Sequence, residues 1–192
     1  MRPALLLYAC LLVAAPAAAQ SQRLLPPEIE DTYLPAWIAD HGEKPLWPVE
    51  ARKGYRTRLR MSLAGISLTR VSIRIDEREN GKIAGRILVE RRGRSVEPVT
   101  ERRFPVSRAQ MDALLHRIAA AKLWTIYPEH WYSTDTESIC VDGMELVLER
   151  ADANGYRFSE ANAQCTANPD MLEVAGMMIE LSREPNIARL LQ

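Results

Sequence analysis

Histidine, cysteine, lysine and phenylalanine are all scarce in this chain of 192 residues: three, three, four and two respectively. The histidines, His41, His116 and His130, form no H-E-x-x-H or similar spacing, which argues against a zinc hydrolase. No G-x-S-x-G elbow, P-loop or G-x-G-x-x-G occurs, so the common nucleophile and nucleotide signatures are missing too. Neither sign of charge is in excess, since 25 basic residues face 25 acidic ones. With nine glycines and 47% hydrophobic residues, the composition excludes a collagen, a mucin-like stalk and a wholly disordered chain. Long apolar runs are lacking after the first 19 residues, so no stable membrane span is expected in the mature protein. No metal and no cofactor is implied.

What is present begins with MRPALLLYACLLVAAPAAA. Arg2 supplies a positive start, Ala4 to Ala15 an uncharged apolar run, and Ala17-Ala18-Ala19 the small residues of a cleavage site. The run is too short for a spanning helix, which needs about 20 residues. Residues 1–19 are therefore read as a signal peptide. Cys10 lies inside the apolar run, not after it, so lipidation is not expected. Four lysines (Lys44, Lys53, Lys82, Lys122) leave 21 of the 25 basic residues to arginine, and alanine is abundant. That balance points to a GC-rich bacterial genome and hence to the periplasm. Nucleic acid is not an expected partner there.

Cleavage removes Cys10 and leaves Cys140 and Cys165. An even count in an oxidising compartment reads as one disulfide. Ala151-Asp152-Ala153-Asn154-Gly155 lies between them and is a strong turn signal. A register that sets Glu149 against Tyr156 sets Cys140 against Cys165. A slip by one residue aligns Leu148 with Tyr156 or Phe158 instead, and a bulge between turn and cysteines accommodates both. Closing a loop of about 25 residues contributes roughly 3 kcal/mol in the chain-entropy account.

Residues 20–53 hold Pro26, Pro27, Pro35, Pro45 and Pro48 without a long period. Their apolar residues, Leu24, Trp37, Ile38 and Leu46 among them, are too many for a free linker. This arm is expected to lie on the domain and cover an apolar patch. From Arg56 the period becomes two: Leu59, Met61 and Leu63 alternate with Arg58, Arg60 and Ser62, and Val71, Ile73 and Ile75 with Arg70, Ser72 and Arg74. Asn80-Gly81 marks a hairpin, and Gly85 a bulge or a close approach. At Ser107 the period changes to 3.6. Ser107 and Gln110 form a capping box before Met111, Leu114, Leu115 and Ile118, a helix over about 108–123. Asn168-Pro169-Asp170 opens a last helix through Met171, Val174, Met178 and Leu181. The expected fold is α+β: one domain over residues 54–192, with a single antiparallel sheet of about five strands and both helices on one face. The other face is wet or covered by the arm.

After the first helix come Leu123-Trp124, Tyr127, Asp135, Ile139-Cys140-Val141-Asp142-Gly143, Leu146-x-Leu148-Glu149 and Gly155-Tyr156-Arg157. This order resembles small exported bacterial proteins that carry a domain of unknown function. In these, a helix ending in aromatics precedes an Asp-Gly-containing hairpin and a final helix. Leu146 stands where that class carries Trp. The resemblance covers Ser107 to Ser182 and implies a fold and a compartment, with no activity attached.

Two features bear on function. Between Arg52 and Arg103 there are 15 basic and 6 acidic residues. Alternation places Arg58, Arg60, Arg70, Arg74 and Arg86 on one sheet face, which then either is cationic or pairs its arginines with glutamates across strands. Trp124, Tyr127, Trp131 and Tyr132 form an aromatic loop that either stacks on a partner or plugs the sheet edge. The favoured reading is a non-enzymatic binding or inhibitory module that contacts a protein or an anionic envelope polymer through these surfaces. The alternative is an envelope hydrolase whose carboxylates are scattered in sequence. A third reading is a homodimer through the sheet edge or face.

Overall fold

The computed structural model describes residues 23–26, 33–65, 69–91, 97–125, 143–164 and 169–191. The leader, Cys140, Cys165, Tyr127, Trp131 and Tyr132 lie outside the described residues.

Six strands form one antiparallel sheet, one more than expected: β1 Tyr55–Ala64, β2 Arg70–Arg78, β3 Ile83–Glu90, β4 Thr100–Phe104, β5 Glu145–Asp152 and β6 Gly155–Asn162. Their order is β4-β3-β2-β1-β5-β6. The meander runs outward from β1 on one side, and the late hairpin pairs with β1 on the other. Among the described residues four α-helices accompany the sheet. Two short ones, α1 (Tyr33–Asp40) and α2 (Val49–Arg52), belong to the arm, and α3 (Arg108–Ala121) and α4 (Pro169–Ser182) follow.

Local chemistry accounts for the boundaries. Ser107 Oγ accepts from the Gln110 N–H while Gln110 Oε1 accepts from the Ser107 N–H, so the capping box opens α3. Pro169 starts α4, where its missing N–H costs nothing. The β2–β3 turn closes through Gly81 at φ +82°, with Asn80 Oδ1 accepting from the Lys82 N–H. Gly85 is a close-approach point rather than a bulge. It pairs with Phe104 of β4, and a Cβ there would lie 2.1 Å from the Phe104 ring.

The late hairpin is offset by two residues from the register read in the sequence. Glu149 faces Phe158, Ala151 faces Tyr156 and Asp152 faces Gly155. The turn centres one residue later, on Ala153-Asn154, where Asp152 Oδ1 accepts from the Asn154 N–H and Gly155 adopts φ +120°. An offset of two keeps every side chain on its expected face, but it removes the register argument that set Cys140 against Cys165.

The sheet is the middle of three layers. On one side Leu59, Met61, Leu63, Val71, Ile73, Ile75, Leu146 and Leu148 pack with Met111, Leu114 and Ile118 of α3 and Met171, Val174 and Met178 of α4. On the other, Ala64, Leu88 and Val147 pack with Leu24, Trp37 and Ile38 of the arm. The second face is therefore covered by the arm, one of the two outcomes left open by the alternation. Among the described residues no helix is long and apolar enough to cross a membrane.

Candidate functional site: a basic pocket beside an ion-paired strap

A strand places alternate side chains on one face, so the arm side of the sheet receives the even-numbered residues of β1, β2 and β3. One cross-strand row reads Arg86, Arg74, Arg60, Glu149 and Phe158 across β3, β2, β1, β5 and β6. Three arginines side by side repel one another unless carboxylates intervene. Arg60 is fully buried and forks onto Glu149, with Nε and Nη2 at 2.5 and 2.6 Å from its two oxygens. Burial pulls the Arg60 pKa down, but the charge of Glu149, its hydrogen bonds and the charge of Glu43 outweigh that and leave it raised. Tyr156 donates its hydroxyl to Glu149 at 3.0 Å. Burial and the Glu149 charge push that phenol well above its usual range, so it stays a donor.

The arm supplies the remaining anion. Glu43, only 5% exposed, accepts from Arg74 Nη1 and from Arg86 Nη1 at 2.7 Å, with Arg60 Nη1 at 3.6 Å. Arg60 Nη1 also donates to the Lys44 carbonyl, and Arg58 Nη1 to that of Ala51. Asp76 accepts from Arg58 at 2.8 Å and Arg74 at 2.9 Å, and Glu101 accepts both Nε and Nη2 of Arg86. Four guanidiniums (Arg58, Arg60, Arg74, Arg86) thus meet four carboxylates (Glu43, Asp76, Glu101, Glu149). This part of the face is electrically balanced, and the arm is strapped onto it by charge.

The balance ends at the β2–β3 turn. An open pocket of about 220 Å³ lies there, lined by Tyr55, Arg74, Asp76, Arg78, Lys82, Ala84, Gly85, Arg86 and Arg103. Arg78, Lys82 and Arg103 are exposed, and none has an ion pair among the described residues. Arg78 lies over the Tyr55 ring at 5.1 Å, with Arg58 over the same ring at 4.2 Å. The ring therefore braces two cations and is not free to stack on a ligand. The guanidinium and ammonium groups that line the pocket are donors that an anionic group can accept from.

The arginines expected on an open cationic face are placed differently. Arg58, Arg60 and Arg70 are buried, with Arg70 Nη1 3.5 Å from Glu90, and Arg74 and Arg86 are half-buried and paired. They form an ionic layer in which the arm brings Glu43 over Arg60, Arg74 and Arg86, while Asp76 meets Arg58 and Glu90 meets Arg70. Arg74 and Arg86 alone still reach the pocket. Trp124 is half-buried against the helix-side core, across the sheet from the pocket. The residues that sequence reasoning missed are Glu43, Tyr55, Arg78, Lys82 and Arg103. Arg78 continues the even-numbered pattern of Arg70 and Arg74, a signal that was there. Arg103 joins only through its pairing with Arg86.

A second titratable cluster lies on the same face. Glu145 and Glu160 are diagonal neighbours, since Glu145 pairs with Asn162 and Val147 with Glu160. Burial, then the charge and hydrogen bond of Glu145, push the Glu160 carboxyl up to about 8. Glu160 is only 5% exposed and does not line the basic pocket, so this pair holds a proton away from solvent. Among the described residues no group of three or more His, Cys, Asp or Glu could hold a metal ion. In comparisons with known proteins, no family model matches the chain and no curated protein is similar to it.

Proposed function

We propose that this protein is a non-enzymatic periplasmic binding module whose basic pocket at the β2–β3 turn takes an anionic group of an envelope polymer. The observation that carries this reading is the gathering of Arg78, Lys82 and Arg103 round one pocket with no ion pair among the described residues, although the Arg103 charge acts on Glu101, beside a layer in which four arginines are matched by four carboxylates. A surplus of fixed cations next to a neutral network attracts an anion and weakens with salt. The signal-peptide pattern of residues 1–19 and the resemblance to small exported proteins support the compartment.

The Cys140–Cys165 disulfide belongs to the same reading. Where the described residues of the hairpin end, its strands are still joined: the Ala163 N–H donates to the Met144 carbonyl at 2.7 Å, and the Met144 N–H to Gln164 Oε1 at 2.6 Å. Cys165 follows Gln164 directly, and Cys140 lies three residues before Gly143, a stretch that reaches about 10 Å when extended. Intact mass of the exported protein before and after reduction checks the bond: two hydrogens are gained on reduction if it is present.

Titration of isotope-labelled protein with inorganic polyphosphate, followed by backbone NMR, tests the pocket. Shifts confined to residues 78–86 and around Arg103 are expected. Shifts centred on α3 and α4 move the contact to the other side of the sheet and reject the reading. Perturbation by an acidic protein but not by polyphosphate replaces the polymer with a protein partner.

A further inference from the structure

Two arginines serve both the pocket and the strap. Arg74 and Arg86 line the basic pocket, and each gives its Nη1 to Glu43. Glu43 lies three residues past the end of α1, with its N–H donating to the Ile38 carbonyl at 3.2 Å, so its carboxylate position and the seating of α1 are linked. Without the Glu43 carboxylate, Arg74 keeps Asp76, Arg86 keeps Glu101 and Arg60 keeps Glu149. Each guanidinium carries five N–H donors, so both pocket arginines then have donors to spare beside Arg78, Lys82 and Arg103, which make no ion pair among the described residues. A carboxylate held by guanidiniums from three adjacent strands is an anion in an anion seat, supplied by the chain itself.

We propose that Glu43 is a built-in competitor for the ligand of this pocket, and that the ligand is a phosphate-type dianion. The inference rests on the pocket being an anion receptor. A tetrahedral dianion has enough acceptor oxygens to take donors from Arg78, Lys82 and Arg103 and from the Nη1 groups of Arg74 and Arg86 together. A planar carboxylate offers only two oxygens, and Glu43 gives one to each of the two Nη1 groups. Ligand and strap draw on the same two Nη1 groups, so each weakens the other, and the coupling is reciprocal. The strap then acts as a sensor of occupancy: anion binding loosens residues 38–43 from the sheet.

Isothermal titration with inorganic phosphate tests this on the native protein, on Glu43→Gln and on the double variant Arg78→Gln/Lys82→Gln. Glu43→Gln is expected to bind about tenfold tighter than native, a usual size for coupled sites, and the double variant to lose binding. On native protein, which does not depend on the variant folding, phosphate is expected to speed amide exchange over residues 38–43. If Glu43→Gln binds no tighter and exchange is unchanged while the double variant still loses binding, the competition is refuted and the pocket stands. If the double variant binds like native, the pocket reading itself fails. A parallel titration with vesicles of phosphatidylglycerol in phosphatidylcholine separates sources. Vesicle binding displaced by free phosphate assigns a lipid headgroup, and phosphate binding without vesicle binding assigns a soluble or polymer-borne group.

Discussion

Neighbouring residues of β2 live in opposite physics. Ile73 and Ile75 point into a cluster of apolar side chains from both long helices, whereas Arg74 and Asp76 lie among arginines and carboxylates under the arm. The helix side is held by burial of apolar surface, which is roughly additive and tolerant of conservative change. The arm side is held by a few matched charges, which are costly to break singly and cheap to remove together. It also leaves Trp37 Nε1, Ser62 Oγ and Ser72 Oγ buried with no hydrogen-bond partner among the described residues. One sheet thus carries a packed face that sets the fold and an ionic face that is adjustable, and the basic pocket opens on the adjustable one.

The sharpest way to break this comparison is to remove one charge of the buried fork. Arg60→Met leaves Glu149 buried without its main partner and is expected to cost about 3–5 kcal/mol in denaturant unfolding. Adding Glu149→Leu should recover most of that loss, because the orphaned charge goes with it. Full additivity of the two losses would mean that the pair is not a unit. On the packed side, Gly85→Ala places a methyl group against the Phe104 ring. It is expected to cost about 1–3 kcal/mol, measured by thermal unfolding, since the ring must shift within a filled core.

Next comes pH. The Glu160 carboxyl titrates near 8 in the folded protein, above its ordinary value of 4.5. The folded state therefore holds a proton that the unfolded state has released between these values. The stability that Glu160 contributes is full below about pH 4.5, falls as pH rises towards 8, and is flat above. Glu160→Gln should flatten that part of the native curve and be the more stable form at pH 9. Parallel curves for the two proteins would show that the pair shares no proton. The smallest effect is expected at Ser62→Ala and Ser72→Ala. Deleting a buried hydroxyl that has no partner among the described residues should leave stability within about 0.5 kcal/mol of native or raise it. A loss above about 1.5 kcal/mol would reveal a partner.

These two faces were unequally legible in the sequence. Period two in β1 and β2 sorts residues by face, and the Ser107–Gln110 box, Asn80-Gly81 and Pro169 mark boundaries, because each acts within a few residues. The hairpin register came out two residues away because turn chemistry at Asn154-Gly155, and not the centre of the polar run, decides the pairing. The pairing of β1 with β5 joins residues some 90 positions apart, such as Arg60 and Glu149, and no local pattern encodes it. Glu43 is the clearest case. It reads as one acidic residue in a loop, yet it decides that Arg60, Arg74 and Arg86 are interior rather than surface cations. A charge count along the chain registers surplus but not pairing, so the surplus at Arg78, Lys82 and Arg103 emerges only after the matched pairs are set aside.

Affinity for inorganic polyphosphate at low and high salt, compared between native protein, the triple variant Arg78→Gln/Lys82→Gln/Arg103→Gln and the exposed control Arg189→Gln, tests the anion receptor most directly. The account predicts binding by the native and control proteins that falls steeply towards 1 M salt, where screening acts within about 3 Å, and loss of binding in the triple variant with its unfolding midpoint unchanged. A triple variant that binds as tightly as native protein would contradict it.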